Sequence, residues 1–255
     1  MVLSKNKIKY IRSLELKKKR KEEKVFIAEG PKLVGDLLGV FPCLLLLATH
    51  DWLIENSSIQ ANEVIEVTNE ELSKSSLLKH PQQVLAVFEQ PEYTTDVNVI
   101  KKSLCLALDD VQDPGNLGTI IRLADWFGIE HVFCSLNTAD IYNPKTVQAT
   151  MGAIARVKVH YVSLYELIEK LQDCPVYGTF LDGKNIYTET LSSYGLIVMG
   201  NEGNGISHDI AGLINRKLYI PNYPIGRETS ESLNVAIATA ITCAEFRRQM
   251  LVSTD

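Results

Sequence analysis

With 255 residues, 45% of them apolar and 22% charged, the chain has material for two modest domains that fold throughout, not for a disordered or fibrous polymer. Its longest apolar stretch, Leu44 to Ala48 with its flanks, is far too short to span a bilayer, and the polar, basic start is unlike a secretory signal. A net charge of −5 argues alone against nucleic acid, but residues 1–24 carry ten Lys/Arg and three Glu, a net +7 against −12 for the rest, so a basic arm on an acidic body is available to phosphates.

Lys5 to Lys18 spaces Ile8, Ile11, Leu14 and Leu16 as one helix with a basic exposed face. Val25 to Ala28 is a short strand, Pro31 to Leu38 a helix with proline in its first turn, and Leu44 to Ala48 a buried strand. Val64 to Val67 is a further strand, Asn69 caps a helix through Leu77, Lys79-His80-Pro81 breaks it, and Val84 to Phe88 closes a small α/β domain over residues 1–92. Polar, β-branched Pro91 to Asp96 begins a linker, placed at 93–103. A second domain over 104–255 alternates strands (Leu104–Leu108, His131–Cys134, Lys158–Val162, Val176–Phe180, Leu196–Met199, Lys217–Ile220) with helices (Leu117–Trp126, Lys145–Met151, Leu164–Leu171, Leu233–Met250). That alternation predicts an α/β fold with a mostly parallel sheet. The five cysteines form no CxxC pair and the five histidines no ligand spacing, so reduced core thiols in a cytoplasmic protein, and no metal, are expected.

Ligands of open parallel sheets bind where loops leave the carboxyl ends of strands. Three such loops stand out. In the first, Asp109 to Arg122, Pro114-Gly115 makes a turn, Asn116 suits a helix cap, and Arg122 can lean back toward the helix N-terminus to form a phosphate site, or can be a plain surface arginine. In the second, Met199 to Ser207, Gly200, Gly203 and Gly205 let backbone approach a ligand around Glu202, or form only a turn. It lacks the spacing of a dinucleotide or P-loop fingerprint, against a nicotinamide oxidoreductase. In the third, Ile220-Pro221 leads through Tyr223, Pro224, Gly226 and Arg227 to Ser232-Leu233-Asn234. Ser232 suits a cap there, and Asn234 needs a partner at the head of an apolar helix.

Together these loops resemble the SpoU, or TrmH-like, family of RNA ribose 2′-O-methyltransferases within the SPOUT superfamily. The resemblance rests on Asp113-Pro114-x-Asn116-x-Gly118-x-x-x-Arg122, Gly200-Asn201-Glu202-Gly203-x-Gly205-Ile206-Ser207 and Ser232-Leu233-Asn234-Val235-Ala236, with Tyr142 to Lys145 and Met151 to Ala153 as a further segment. Phe26 to Gly30 is similar to the F-x-x-E-G of the family's L30e-like substrate-binding domain. Gln148 stands where the family commonly has arginine, and the loop between Pro221 and Ser232 is a few residues longer than usual.

The resemblance implies a C-terminal trefoil knot, a homodimer whose active site borrows from both subunits, and S-adenosylmethionine held by Thr179, Gly200, Asn201, Gly203, Ile220 and Leu233. It places Arg122, Asn116, Glu202, Ser232 and Asn234 around the acceptor ribose of a structured RNA, ribosomal or transfer. A guanidinium stays protonated, so phosphate holding suits Arg122 better than proton abstraction, which falls to Glu202 or to the substrate's own phosphate. Lys17, Lys18, Lys19 and Arg20, with Arg122, are the expected RNA contacts. Removal of residues 1–24 is then expected to weaken RNA binding and spare the cofactor. A non-catalytic RNA-binding assembly factor on the same fold is the alternative, and base methylation a further one.

Overall fold

The computed structural model describes residues 3–224, Arg227 and 232–252. The chain forms two compact units, one of Met1–Glu92 with Asp140–Ala155, the other of Tyr93–Ala139 with Arg156–Asp255. Residues 140–155, expected within the second domain, therefore pack with the first unit.

The elements run in order as α1 (Lys5–Ser13), α2 (Lys17–Glu23), β1 (Val25–Glu29), α3 (Pro31–Leu37), β2 (Cys43–Ala48), α4 (His50–Glu55), β3 (Val64–Glu66), α5 (Asn69–Ser75) and β4 (Val84–Glu89). Then follow β5 (Leu104–Leu108), α6 (Pro114–Trp126), β6 (His131–Cys134), α7 (Pro144–Thr150), β7 (Lys158–Tyr161), α8 (Leu164–Glu169), β8 (Val176–Asn185), β9 (Gly195–Met199), α9 (His208–Ala211), β10 (Arg216–Tyr219) and α10 (Val235–Val252).

In the first unit the sheet order is β1-β4-β2-β3. β4 is antiparallel to β1 and β2, and β3 is parallel to β2. Every residue of β1 is buried, because α3 and α7 both pack on it. Phe26 stacks on Phe88 at 5.6 Å and meets Tyr142, just before α7, at 5.2 Å. The cap of α5 is Thr68, which forms a capping box with Glu71, so Asn69 is the first helical residue and not the cap.

The basic N-terminal segment is two helices, not one. The break falls at Leu14 to Leu16, where Leu14 is fully buried. Arg20 sustains the break: its Nη1 donates to the carbonyls of Leu14 and Glu15, both at 2.7 Å, and its Nη2 to Asp140 Oδ2 at 2.6 Å. Only 1% of Arg20 is exposed, so it belongs to the core and is corrected as an RNA contact. Leu3, Ile11 and Leu14 belong to the core of this unit. Residues 3–24 are thus no detachable arm, and deleting the segment would open the unit rather than test RNA binding.

In the second unit all sheet ladders are parallel, in the order β10-β8-β9-β5-β6-β7. The central strands β5 and β9 are buried at every residue, as strands covered on both faces must be. The edge strands β7 and β10 carry exposed charged residues, Lys158, Arg216 and Lys217. The β8–β10 ladder jumps from Gly178 opposite Lys217 to Lys184 opposite Leu218, so residues 179–183 stand out of it. A Cβ on Gly183 would lie 2.4 Å from the Leu218 backbone, so only glycine lets the strands rejoin there. Among the described residues no helix is long and apolar enough to cross a membrane. All five cysteines are buried and unpaired.

Candidate active site

The polar loops follow β5, β9 and β10 in the second unit. The first is set by Asp113, whose side chain accepts from the Asn116 backbone at 2.8 Å with Pro114 at the first helical position. Asp113 thus takes the capping role expected of Asn116. That leaves the Asn116 side chain free to turn away from its own helix.

The head of α10 shows a parallel displacement. The helix begins at Val235, not Leu233. Asn234 Oδ1 accepts from the backbone of Ala236 at 3.0 Å and Ile237 at 3.3 Å. Asn234, not Ser232, therefore caps this helix. With its oxygen so engaged, Asn234 presents Nδ2 to Asn116 Oδ1 at 3.0 Å, and Asn116 presents Nδ2 to Glu202 Oε1 at 2.8 Å. The direction of this relay is fixed at its source by backbone donors, so it ends on Glu202 as an acceptor. Three of the expected catalytic residues, from three loops, are joined in one line.

Beside Glu202 lies a cavity of about 460 Å³. Thr179, Gly200, Asn201, Gly203, Ile220 and Leu233 all line it, as do Glu202 and Ser232. The glycines have specific causes. A Cβ on Gly200 would meet the Gly205 carbonyl carbon at 2.2 Å, and Gly205 itself has φ +68°. The Asn201 side chain serves the loop: Oδ1 accepts from Gly203 and Asn204 at 2.9 and 3.0 Å, and Nδ2 donates to the Asp110 carbonyl at 2.8 Å.

Sequence reasoning missed Phe180, Leu181 and Tyr219 in the wall. The first two belong to the stretch outside the β8–β10 ladder, and no periodicity announces a ladder jump. Lys217 sits over the Phe180 ring at 4.8 Å and pairs with Asp182 at 3.1 Å.

Arg122 is exposed on α6, makes no hydrogen bond or ion pair among the described residues, and does not line the cavity. Of the expected RNA contacts on α2, Lys17 and Lys18 are exposed. Lys19 is drawn into an ion pair with Glu23 at 2.6 Å, and the hydrogen bond holds its ammonium above the usual lysine value. Residues 225, 226 and 228–231 of the third loop, including Gly226 and Glu231, lie outside the described residues. Among the described residues no group of three or more His, Cys, Asp or Glu is placed to hold a metal.

The model of the SpoU rRNA methylase family matches residues 103–244. The chain belongs to that family. Residues 5–86 match the MRM3-like substrate-binding domain. The chain is 31% identical to the 23S rRNA (guanosine(2553)-2′-O)-methyltransferase RlmP of Bacillus subtilis, over 94% of this chain and 96% of that one. A protein from Porphyromonas gingivalis assigned to the TrmH family of RNA methyltransferases superposes with a TM-score of 0.89 at 43% identity, covering 98% of this chain and 100% of that one. An AdoMet-bound rRNA methyltransferase from Sinorhizobium meliloti follows at a TM-score of 0.85 and 32% identity, covering 98% and 97%. For this SpoU-family chain the α/β fold with a mostly parallel sheet is thus the fold of its relatives.

Proposed function

We propose that the chain methylates a ribose 2′-hydroxyl in ribosomal RNA with S-adenosylmethionine as donor, at the cavity beside Glu202. The carrying observation is the Asn234–Asn116–Glu202 relay, which ends on Glu202 in the wall of a glycine-rich cavity. The cavity suits a nucleoside: Met199, Ile206, Ile220 and Val235 give apolar wall, and the close Gly200–Gly205 backbone gives polar edges. When bound there, the cofactor supplies a methyl group already activated on a sulfonium.

The chain's part is to orient the acceptor and take its proton. Glu202, held as an acceptor by Asn116, is placed to receive the 2′-hydroxyl proton, and Ser232 adds a hydroxyl at the same wall. Arg122 holds the phosphate next to the acceptor and offsets charge growing on its oxygen. Because Arg122 does not line its own cavity, this role fits a homodimer in which Arg122 of the partner subunit completes the site. Exposed apolar residues on α6 and α10, namely Trp126, Ile237 and Leu251, support such a pairing. Lys17 and Lys18 provide phosphate contacts on the substrate-binding domain. The reading carries with it the family's knotted C-terminal end and a cytoplasmic site of action on ribosomal rather than transfer RNA.

The test is methyl transfer from labelled S-adenosylmethionine to total RNA of a strain lacking the gene, followed by nucleoside analysis. Label in a 2′-O-methylated nucleoside of ribosomal RNA is expected. Label in a methylated base would overturn the mechanism, and neither label nor cofactor binding would favour the RNA-binding assembly factor.

A further inference from the structure

We infer that Asp109 and Asp110 are positioning residues that fasten both ends of the 201–207 loop and so set the shape of the cofactor cavity. The Asp109 backbone donates to the Met199 carbonyl at 2.9 Å, one step beyond the β5–β9 ladder. The side chain, 5% exposed, accepts from the Ser207 backbone through Oδ2 at 2.8 Å. That holds the far end of the loop. Asp110 holds the near end, since its carbonyl accepts from Asn201 Nδ2 at 2.8 Å.

The Asp110 carbonyl is turned that way by an uncommon backbone, φ +57° in a residue other than glycine. The conformation is maintained from a third strand end. Ser135, just past β6, accepts from the Asp110 N–H at 3.0 Å and donates to Asp110 Oδ1 at 2.6 Å. Thr138, 2% exposed, donates to the Leu108 carbonyl at 3.0 Å. Between the two fastened points Asn201 and Gly205 exchange backbone hydrogen bonds at 2.9 Å each. Glu202 lies inside this closed stretch. One pair of acidic residues therefore fixes the glycine wall and the carboxylate together, without touching either ligand. Neither residue needs its negative charge for this role. Asp109 must accept a hydrogen bond, and Asp110 must hold its backbone.

The consequence for affinity rests on the proposal that this loop holds S-adenosylmethionine, so the experiment has one readout that does not. In the full-length protein, Asp109→Ala leaves the Ser207 N–H unpaired. Ser207 amide exchange, followed by NMR, is expected to quicken roughly tenfold or more, and the dissociation constant for S-adenosylmethionine without RNA to rise by a similar factor. Asp109→Asn keeps an acceptor oxygen and is expected to restore both to within about threefold of the wild type. Ser135→Ala, which removes no charge, is expected to quicken exchange at Asp110 and weaken the cofactor by a smaller factor, and it carries the test should Asp109→Ala fail to fold. Wild-type Ser207 exchange in folded Asp109→Ala would overturn the fastening. So would Asp109→Asn behaving like Asp109→Ala. Faster exchange with unchanged cofactor affinity would overturn the consequence for the cavity. A wild-type protein that binds no S-adenosylmethionine would overturn the functional reading, and the exchange data would still decide the fastening.

Discussion

Two helices of this chain carry an arginine that the sequence offers to RNA, and the fold uses them in opposite ways. On α2, Arg20 is buried, closes two carbonyls left open where α1 ends, and pairs with Asp140. On α6, Arg122 is exposed and engages nothing among the described residues. Both belong to cation-bearing helices, but only the second keeps a guanidinium for a ligand. A buried guanidinium whose two terminal nitrogens are engaged is a structural element, because moving it to a phosphate would strand the carbonyls and the carboxylate it serves. Positive charge in a sequence is therefore not a measure of phosphate-binding capacity until the internal partners are subtracted.

The sharpest way to break this contrast is to remove each arginine in turn. Arg20→Ala is expected to cost about 3–5 kcal/mol of stability in urea unfolding, because it leaves Asp140 unpaired at a largely buried site. A loss near zero would return Arg20 to the RNA-contact group. Arg122→Ala is expected to reduce methyl transfer on the order of 100-fold while unfolding stays within about 0.5 kcal/mol of wild type, as for an exposed side chain. Activity near wild type would remove Arg122 from the mechanism. Asn234→Ala removes a helix cap and the start of the relay, and is expected to lower stability by about 1 kcal/mol. Its transfer rate should fall further than a control substitution of equal cost elsewhere on α10, which separates positioning from capping. Lys17→Ala with Lys18→Ala should change stability little, but should lower the salt dependence of RNA binding by about one unit of slope per lysine that touches a phosphate. An unchanged slope would take α2 out of the interface.

Much of the second unit was legible in the sequence. The uninterrupted apolar run of β5 marked a central parallel strand, and the strand–helix alternation marked the parallel sheet; the glycines after β9 were read as room for a ligand, whereas the close approach at Gly200 is to the backbone of Gly205. The caps were not legible. Asp113 and Asn116, like Ser232 and Asn234, are cap-forming residues two or three positions apart, and only the three-dimensional path decides at which of them the helix starts. The burial of Arg20 was not legible either, since Asp140 lies 120 residues away in sequence. α4 has no apolar period strong enough to announce it, and the ladder jump that brings Phe180 and Leu181 to the cavity depends on a strand more than thirty residues later. Local pattern reveals what a segment buries; it does not reveal which distant partner it buries it against.

The five cysteines give the protein a chemical timer. A thiol is reactive only as thiolate, and burial pushes Cys43 and Cys105 up to about 11 and Cys243 up to about 12, with Cys134 raised as well. The folded chain should therefore ignore an alkylating reagent at neutral pH and gain mass only when it opens. Cys43 lies in one unit and the other four in the other. A mass spectrum taken at intervals would show a single increment when the first unit breathes and a block of four when the second does, so the order of their opening can be read without adding any label site.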